Sequence, residues 1–210
     1  MLDVLRSVIQ EVNRAGDLKS VLEIIVERVR SAMQTEVCSI YLKDEERQRY
    51  VFMATRGLNQ EAVGKVSLAL GEGLVGYVGE RAEPINLEDA PNHPRNRFFE
   101  EIGEDPYHAF LGVPIIHHRK LLGVLIVQQQ QTRRFDESEE AFLITLSAQL
   151  AGVIAHAEAT GALALQGRGR RSARFEGMQG AAGVAIGTAV VTFSEAELQK
   201  VPERKANDVE

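Results

Sequence analysis

The residues best equipped to bind something lie between positions 86 and 110. Asn86, Asp89, His93, Arg95 and Asn96 offer donors and acceptors, while Phe98, Tyr107 and Phe110 offer apolar walls. A ligand pocket combines those two ingredients, a mostly apolar lining and a few polar groups that fix orientation. Ser39 and Arg56, on strands expected beneath this segment, join the candidates. Gly71-x-Gly73-x-x-Gly76 has the spacing of a dinucleotide fingerprint, but the elements around it do not run strand–helix–strand and no acid closes a second parallel strand. Tight-turn geometry accounts for the three glycines, and Gly73 then marks a helix start able to meet a small anion.

The remaining reactive residue types read as structural. Cys38 sits mid-strand among apolar neighbours with no base or ligand set nearby. His117 and His118 fall at an expected hairpin tip, where strand alternation points them to opposite faces and away from a shared metal. The short cluster Arg168, Arg170, Arg171 and Arg174 reads as exposed linker rather than a nucleic-acid contact, and Gln128 to Gln131 as a strand running out into solvent. No nucleophile–base pair or metal set emerges, so no catalytic residue is expected here.

These side chains must be positioned by a chain of 210 residues whose 30 acids and 24 bases leave a net charge of -6, which argues against nucleic-acid or anionic-membrane partners. With 44% hydrophobic and 26% charged residues, wholesale disorder is excluded. A lone cysteine forms no internal disulfide and fits a reducing compartment. No apolar run is read as a membrane span and MLDVLRSVIQ lacks a signal-peptide core, so a cytoplasmic protein is expected.

The periodicity predicts a helix over 2–15 (Leu2, Leu5, Ile9, Val12) and a second from the N-cap Asp17 through Met33. Strands follow at 37–42, 50–55 and 66–70, then a short helix after Gly73 and a short strand at 84–87. Glu88 to Tyr107 is an irregular connection long enough to be a functional loop or to carry a short helix of its own. The apolar runs 110–116 and 121–127 pair as a hairpin, and the capping box Asp136-x-x-Glu139 opens a helix to about residue 159. The order is α+β, an antiparallel sheet of about six strands flanked by helices, with the N- and C-terminal helices packed together on one face. Residues 161–175 read as an Arg-rich linker. The glycine- and valine-rich residues 176–210 are too few to bury a core of their own and read as the truncated start of a second domain.

Several blocks in this order resemble a GAF domain over residues 1–160: Thr35 to Leu42, Ala54-Thr55-Arg56-Gly57-Leu58, Gly71-Glu72-Gly73-Leu74-Val75-Gly76, Leu111-Gly112-Val113-Pro114-Ile115-Ile116 and Leu122-Gly123-Val124-Leu125. Pro84-Ile85-Asn86-Leu87 and Val127-Gln128-Gln129-Gln130 narrow the resemblance to the N-terminal GAF domains of the nitrogen-type enzyme I family, phosphoenolpyruvate-protein phosphotransferases of the nitrogen-regulatory phosphotransferase system. Gly177 to Gly187 is similar to the strand that opens that family's phosphotransferase portion.

The resemblance implies a small-molecule sensor controlling phosphoryl transfer to a histidine-containing phosphocarrier protein. Glutamine and 2-oxoglutarate are its ligand candidates. A carboxylate would meet Gly73 or Arg56, and an amine or amide would meet Asn86 or Asp89. It implies no cofactor in this segment and Mg2+ only for the full-length enzyme. The family's G-G-x-x-S-H phosphorylation motif is absent, and so is the N-K-F-D-E motif of cyclic-nucleotide GAF domains. No cysteine in 88–107 supports bilin attachment. The alternative is a homodimerisation module with an empty pocket, built on residues 2–12 and the helix 136–159.

Overall fold

The computed structural model describes residues 6–8, 10–11, 17–103 and 107–160, and the backbone of 184–186 and 189–191. The chain divides into two compact units, residues 1–168 and 169–210. In the first, helix α1 (Leu18–Met33) starts where the Asp17 carboxylate accepts from the Ser20 N–H at 2.9 Å, and ends on Gln34 in the left-handed region. Strands β1 (Val37–Asp44), β2 (Arg49–Arg56) and β3 (Ser67–Ala69) follow, then α2 (Gly73–Arg81) and β4 (Ile85–Leu87). After a loop carrying two single 3-10 turns come β5 (Ala109–His117), β6 (Lys120–Gln129) and α3 (Glu137–Ala159). The six strands lie in the order β3-β2-β1-β6-β5-β4, every neighbouring pair antiparallel.

Strand alternation sorts the side chains into two cores. Cys38, Ile40, Leu42, Leu111, Val113, Leu125 and Val127 point toward α1 and α3, where they meet Leu22, Ile25, Val29, Leu143, Leu146 and Ile154. Val37, Tyr41, Phe52, Phe110, Val124 and Ile126 point the other way, toward α2 and the irregular loop. A bulge at Met53, between the pairs Ile40–Ala54 and Tyr41–Phe52, lets Met53 and Ala54 both face the helices while Phe52 and Thr55 stay on the loop side.

Helix α3 carries both halves of the expected capping box: the Asp136 carboxylate accepts from the Ser138 and Glu139 N–H groups, and Glu139 accepts from Asp136 N–H. By length and composition alone it is, among the described residues, the one helix apolar enough to cross a membrane. Its apolar side packs on the sheet instead, stitched by Ser147 Oγ donating to the Pro114 carbonyl at 2.6 Å.

Two expectations change. The loop at the β5–β6 tip shrinks to His118 and Arg119, both at positive φ, so the His117 and His118 rings meet edge-to-face at 4.2 Å rather than pointing apart. Gln128 does not run into solvent; it is buried on β6, and only Gln130 and Gln131 are exposed. Of the expected N-terminal helix, residues 6–8 and 10–11 are helical, with Val8 in the α1-side core. The expected linker lies outside the described residues. Within 176–210, β7 (Val184–Ile186) and β8 (Ala189–Val191) pair antiparallel.

Candidate functional site

The glycine-spaced turn before α2 is a packing device. Gly71 and Gly73 both adopt positive φ, and a Cβ on Gly76 would lie 2.3 Å from the Gly71 carbonyl carbon, so the helix seats directly on its own entry turn. That close approach puts the start of α2 against the sheet's loop side. There Leu74 and Val75, with Tyr41, Leu68, Phe110, Ile126 and Gln128 of the strands, surround a cavity roofed by Asn96, Arg97 and Phe99 of the irregular loop. Its volume is about 20 Å3, room for one water and no metabolite.

The roof is tied down by ions and rings. Arg95 donates to Glu80 and to the Gly71 carbonyl, and its guanidinium lies 5.4 Å from the centre of the Tyr77 ring, which itself packs against His93. Arg97 pairs with Glu72 at 3.1 Å, while Glu72 also accepts from Ala69 N–H at 2.7 Å. Asn59 N–H donates to the Ile102 carbonyl, and buried Ile102 anchors the far end of the segment. Outside the roof lies an open groove of about 460 Å3 that shares Leu68, Arg97 and Phe99 with the cavity and adds Arg49, Lys65 and Phe98.

The candidate residues do not converge on one point. Phe110 lines the cavity and Gly73 lies at its helix start, with the Phe99 ring against it. Ser39 is fully buried on the same face of β1 as Tyr41, its Oγ 2.8 Å from Thr55 Oγ1. His93 sits at the base of the roof, where its Nδ1 accepts from Arg95 N–H, and Phe98 is 54% exposed on top of it. Asp89 holds the loop's first turn: hydrogen bonds from Asn92 and then from His108 Nδ1, at 3.0 Å, keep its carboxyl below the usual carboxylate range.

Arg56 and Asn86 lie outside the cavity. Arg56 Nε donates to Glu27 of α1 at 2.8 Å, which lowers the Glu27 pKa, and it borders a separate groove of about 430 Å3 at the β2 edge. Asn86 clamps β4 to the α3 entry: its Nδ2 donates to the Phe135 carbonyl and to Glu140, and its Oδ1 accepts from Phe135 N–H.

Tyr41, Gln128, Arg97 and Phe99 are site residues that the sequence reading passed over. Period-two alternation carries a signal for the first two, since Tyr41 shares a face with Ser39 and Gln128 with Val124 and Ile126. Arg97 and Phe99 sit in aperiodic chain, where spacing says nothing about direction. Among the described residues no cluster of three or more His, Cys, Asp or Glu is placed to hold a metal ion.

Residues 17–154 match the family model described as GAF domain. The chain is 47% identical over 188 residues to a phosphoenolpyruvate-dependent phosphotransferase system protein of Salmonella typhimurium, covering 90% of this chain and 25% of that relative. It thus spans about a quarter of the length of the curated relatives it matches. The solved GAF domain from a phosphoenolpyruvate-protein phosphotransferase of Coxiella burnetii is 51% identical with a TM-score of 0.75, covering 77% of this chain and 96% of that one. Its counterpart from Acinetobacter is 52% identical with a TM-score of 0.71, covering 77% and 97%. The chain therefore belongs to the GAF family, its first unit being a GAF domain of the kind found at the N-terminus of phosphoenolpyruvate-protein phosphotransferases.

Proposed function

We propose that this GAF domain is a small-molecule sensor regulating an attached phosphoenolpyruvate-dependent protein phosphotransferase of the nitrogen-regulatory type. Its readout is phosphoryl transfer to a histidine-containing phosphocarrier protein in the cytoplasm, and its ligand is glutamine or 2-oxoglutarate. The observation that carries this reading is the cavity under the 95–99 segment, which has an aromatic and aliphatic wall, the buried amide of Gln128 and a helix start at one corner. The ligand must favour one of two arrangements of that roof, because binding both equally would signal nothing.

Calorimetric titration of the chain with each metabolite tests the reading. Saturable binding that Gln128→Leu weakens about tenfold, with the circular dichroism spectrum unchanged, supports it. No heat with either ligand at low millimolar concentration overturns it for both.

The second reading, a homodimerisation module, is favoured by the outer face of α3. Residues 141–157 contain no Asp, Glu, Lys or Arg, and Ala141, Ile144 and Ala148 of that stretch face solvent. A charge-free exposed helix face suits isologous packing of two copies. Ile144→Glu would then convert a dimer to a monomer in analytical ultracentrifugation. An unchanged mass would remove this reading.

A further inference from the structure

The small cavity and the wider groove outside it share part of their lining. Phe99 and Arg97 line both volumes, about 20 Å3 inside and 460 Å3 outside, and both sit on the Asn96–Phe99 segment that roofs the cavity. A metabolite of the size expected for a sensor enters the inner space only if that segment lifts. Beside the Arg95–Glu80 pair, its centre is tied to the α2 entry by the ion pair between Arg97, 66% exposed, and Glu72. An ion pair whose cation is this exposed contributes little net stability, so the latch is weak enough to exchange partners.

The groove around Arg97 is locally basic. Arg49 and Lys65 share it, against Glu72 and Glu101, on a chain whose net charge is -6. Arg49 is already committed to Ser67 through two hydrogen bonds. Arg97 alone of these cations reaches both volumes. A guanidinium binds a carboxylate through two parallel N–H donors, and when the segment lifts its present carboxylate partner stays behind on α2.

We propose that Arg97 is the residue of this site that binds the ligand's carboxylate, and that the Asn96–Phe99 segment is the door through which a carboxylate-bearing metabolite enters, the metabolite's carboxylate replacing Glu72 as the partner of Arg97. This rests on the sensor reading above and deepens it by naming the recognised group and the route. Glu72 is then a competitor of the ligand rather than a contact. The basic groove steers anions toward the door, and the buried wall of Phe110 and Ile126 receives the carbon chain.

Hydrogen–deuterium exchange and calorimetry on the whole chain test this, with 2-oxoglutarate and glutamine as probes. Glu72→Gln keeps an acceptor for the Ala69 N–H but removes the latch charge. It should speed exchange of the 96–99 amides several-fold without touching those of β5, and tighten binding of the probe about two- to fivefold. Arg97→Gln should speed the same amides yet weaken binding about tenfold or more. Unchanged exchange at 96–99 in Glu72→Gln overturns the latch. Wild-type binding that Arg97→Gln leaves intact overturns the assignment of Arg97 while sparing the sensor reading. No binding of either probe to wild type and to Glu72→Gln overturns both readings together.

Discussion

The two faces of the sheet are built from different materials. Toward α1 and α3 the core is almost entirely aliphatic, Phe135 and Phe142 apart, and is closed by two regular helices whose N-terminal ends are capped by Asp17 and Asp136. Toward α2 the core is richer in aromatics, with Tyr41, Phe52 and Phe110 among its aliphatic residues, under a roof of irregular chain held by Arg95–Glu80 and Arg97–Glu72. Apolar burial is steep in energy and indifferent to ligands, whereas exposed ion pairs are shallow and exchangeable. One face is suited to hold the fold and the other to change.

Substitutions on the two faces should therefore differ in what they damage. Leu143→Ala, in the helix-side core, should cost about 2–5 kcal/mol in urea unfolding and leave the roof's exchange pattern intact. Gly76→Ala forces a methyl group against the Gly71 backbone and should cost about 1–3 kcal/mol, moving the α2 entry and the cavity with it. Phe99→Ala, by contrast, should lower stability by about 1 kcal/mol or less while enlarging the accessible cavity, read as uptake of a small apolar dye. A Phe99→Ala loss as large as that of Leu143→Ala would erase the distinction between the faces.

The helix-side face was legible in the sequence, because its residues repeat with the periods of the elements that carry them. The helix from Asp17 through Met33, the Asp136–Glu139 box and the β5–β6 pair all appear at their expected places. The loop-side face was legible only where a strand supplied alternation, as at Phe110. Arg56 and Asn86 look like site residues by type, yet tertiary context gives each a structural partner far along the chain, Glu27 and the Phe135–Glu140 turn. Gln128 belongs to a run of four glutamines whose last two members do face water, and only the length of β6 tells its first from its last.

Acid provides a finer comparison, because both faces carry carboxyls held below their ordinary range, Asp17, Glu27 and Asp136 on the helix side and Asp89 on the loop side. For Asp136 the chief cause is the Glu139 N–H and next the Ser138 hydroxyl; for Asp89 it is Asn92 and then His108. A folded pKa below the unfolded value means that each contributes fully above the unfolded pKa, near 3.8, and loses its contribution as pH falls through the folded value. Asp136→Asn should flatten the acid limb of global unfolding below about pH 4. Asp89→Asn should change only the local exchange of residues 89–93. The smallest effect concerns Cys38, whose thiol pKa burial raises and whose place is under the helices. It should react with a thiol reagent no faster than the whole domain unfolds.

The clamp at Asn86 gives α3 a mechanical character. A helix of 23 residues is a rod about 34 Å long at 1.5 Å per residue. One end is bolted through three hydrogen bonds to the strand that leads into the loop, and the other is steadied by the exposed Lys120–Glu158 pair. Any rotation of such a rod about its root becomes travel at its tip. A tilt of about 5° at Phe135 displaces Ala159 by about 3 Å, at the point where the chain leaves for residue 160 and beyond.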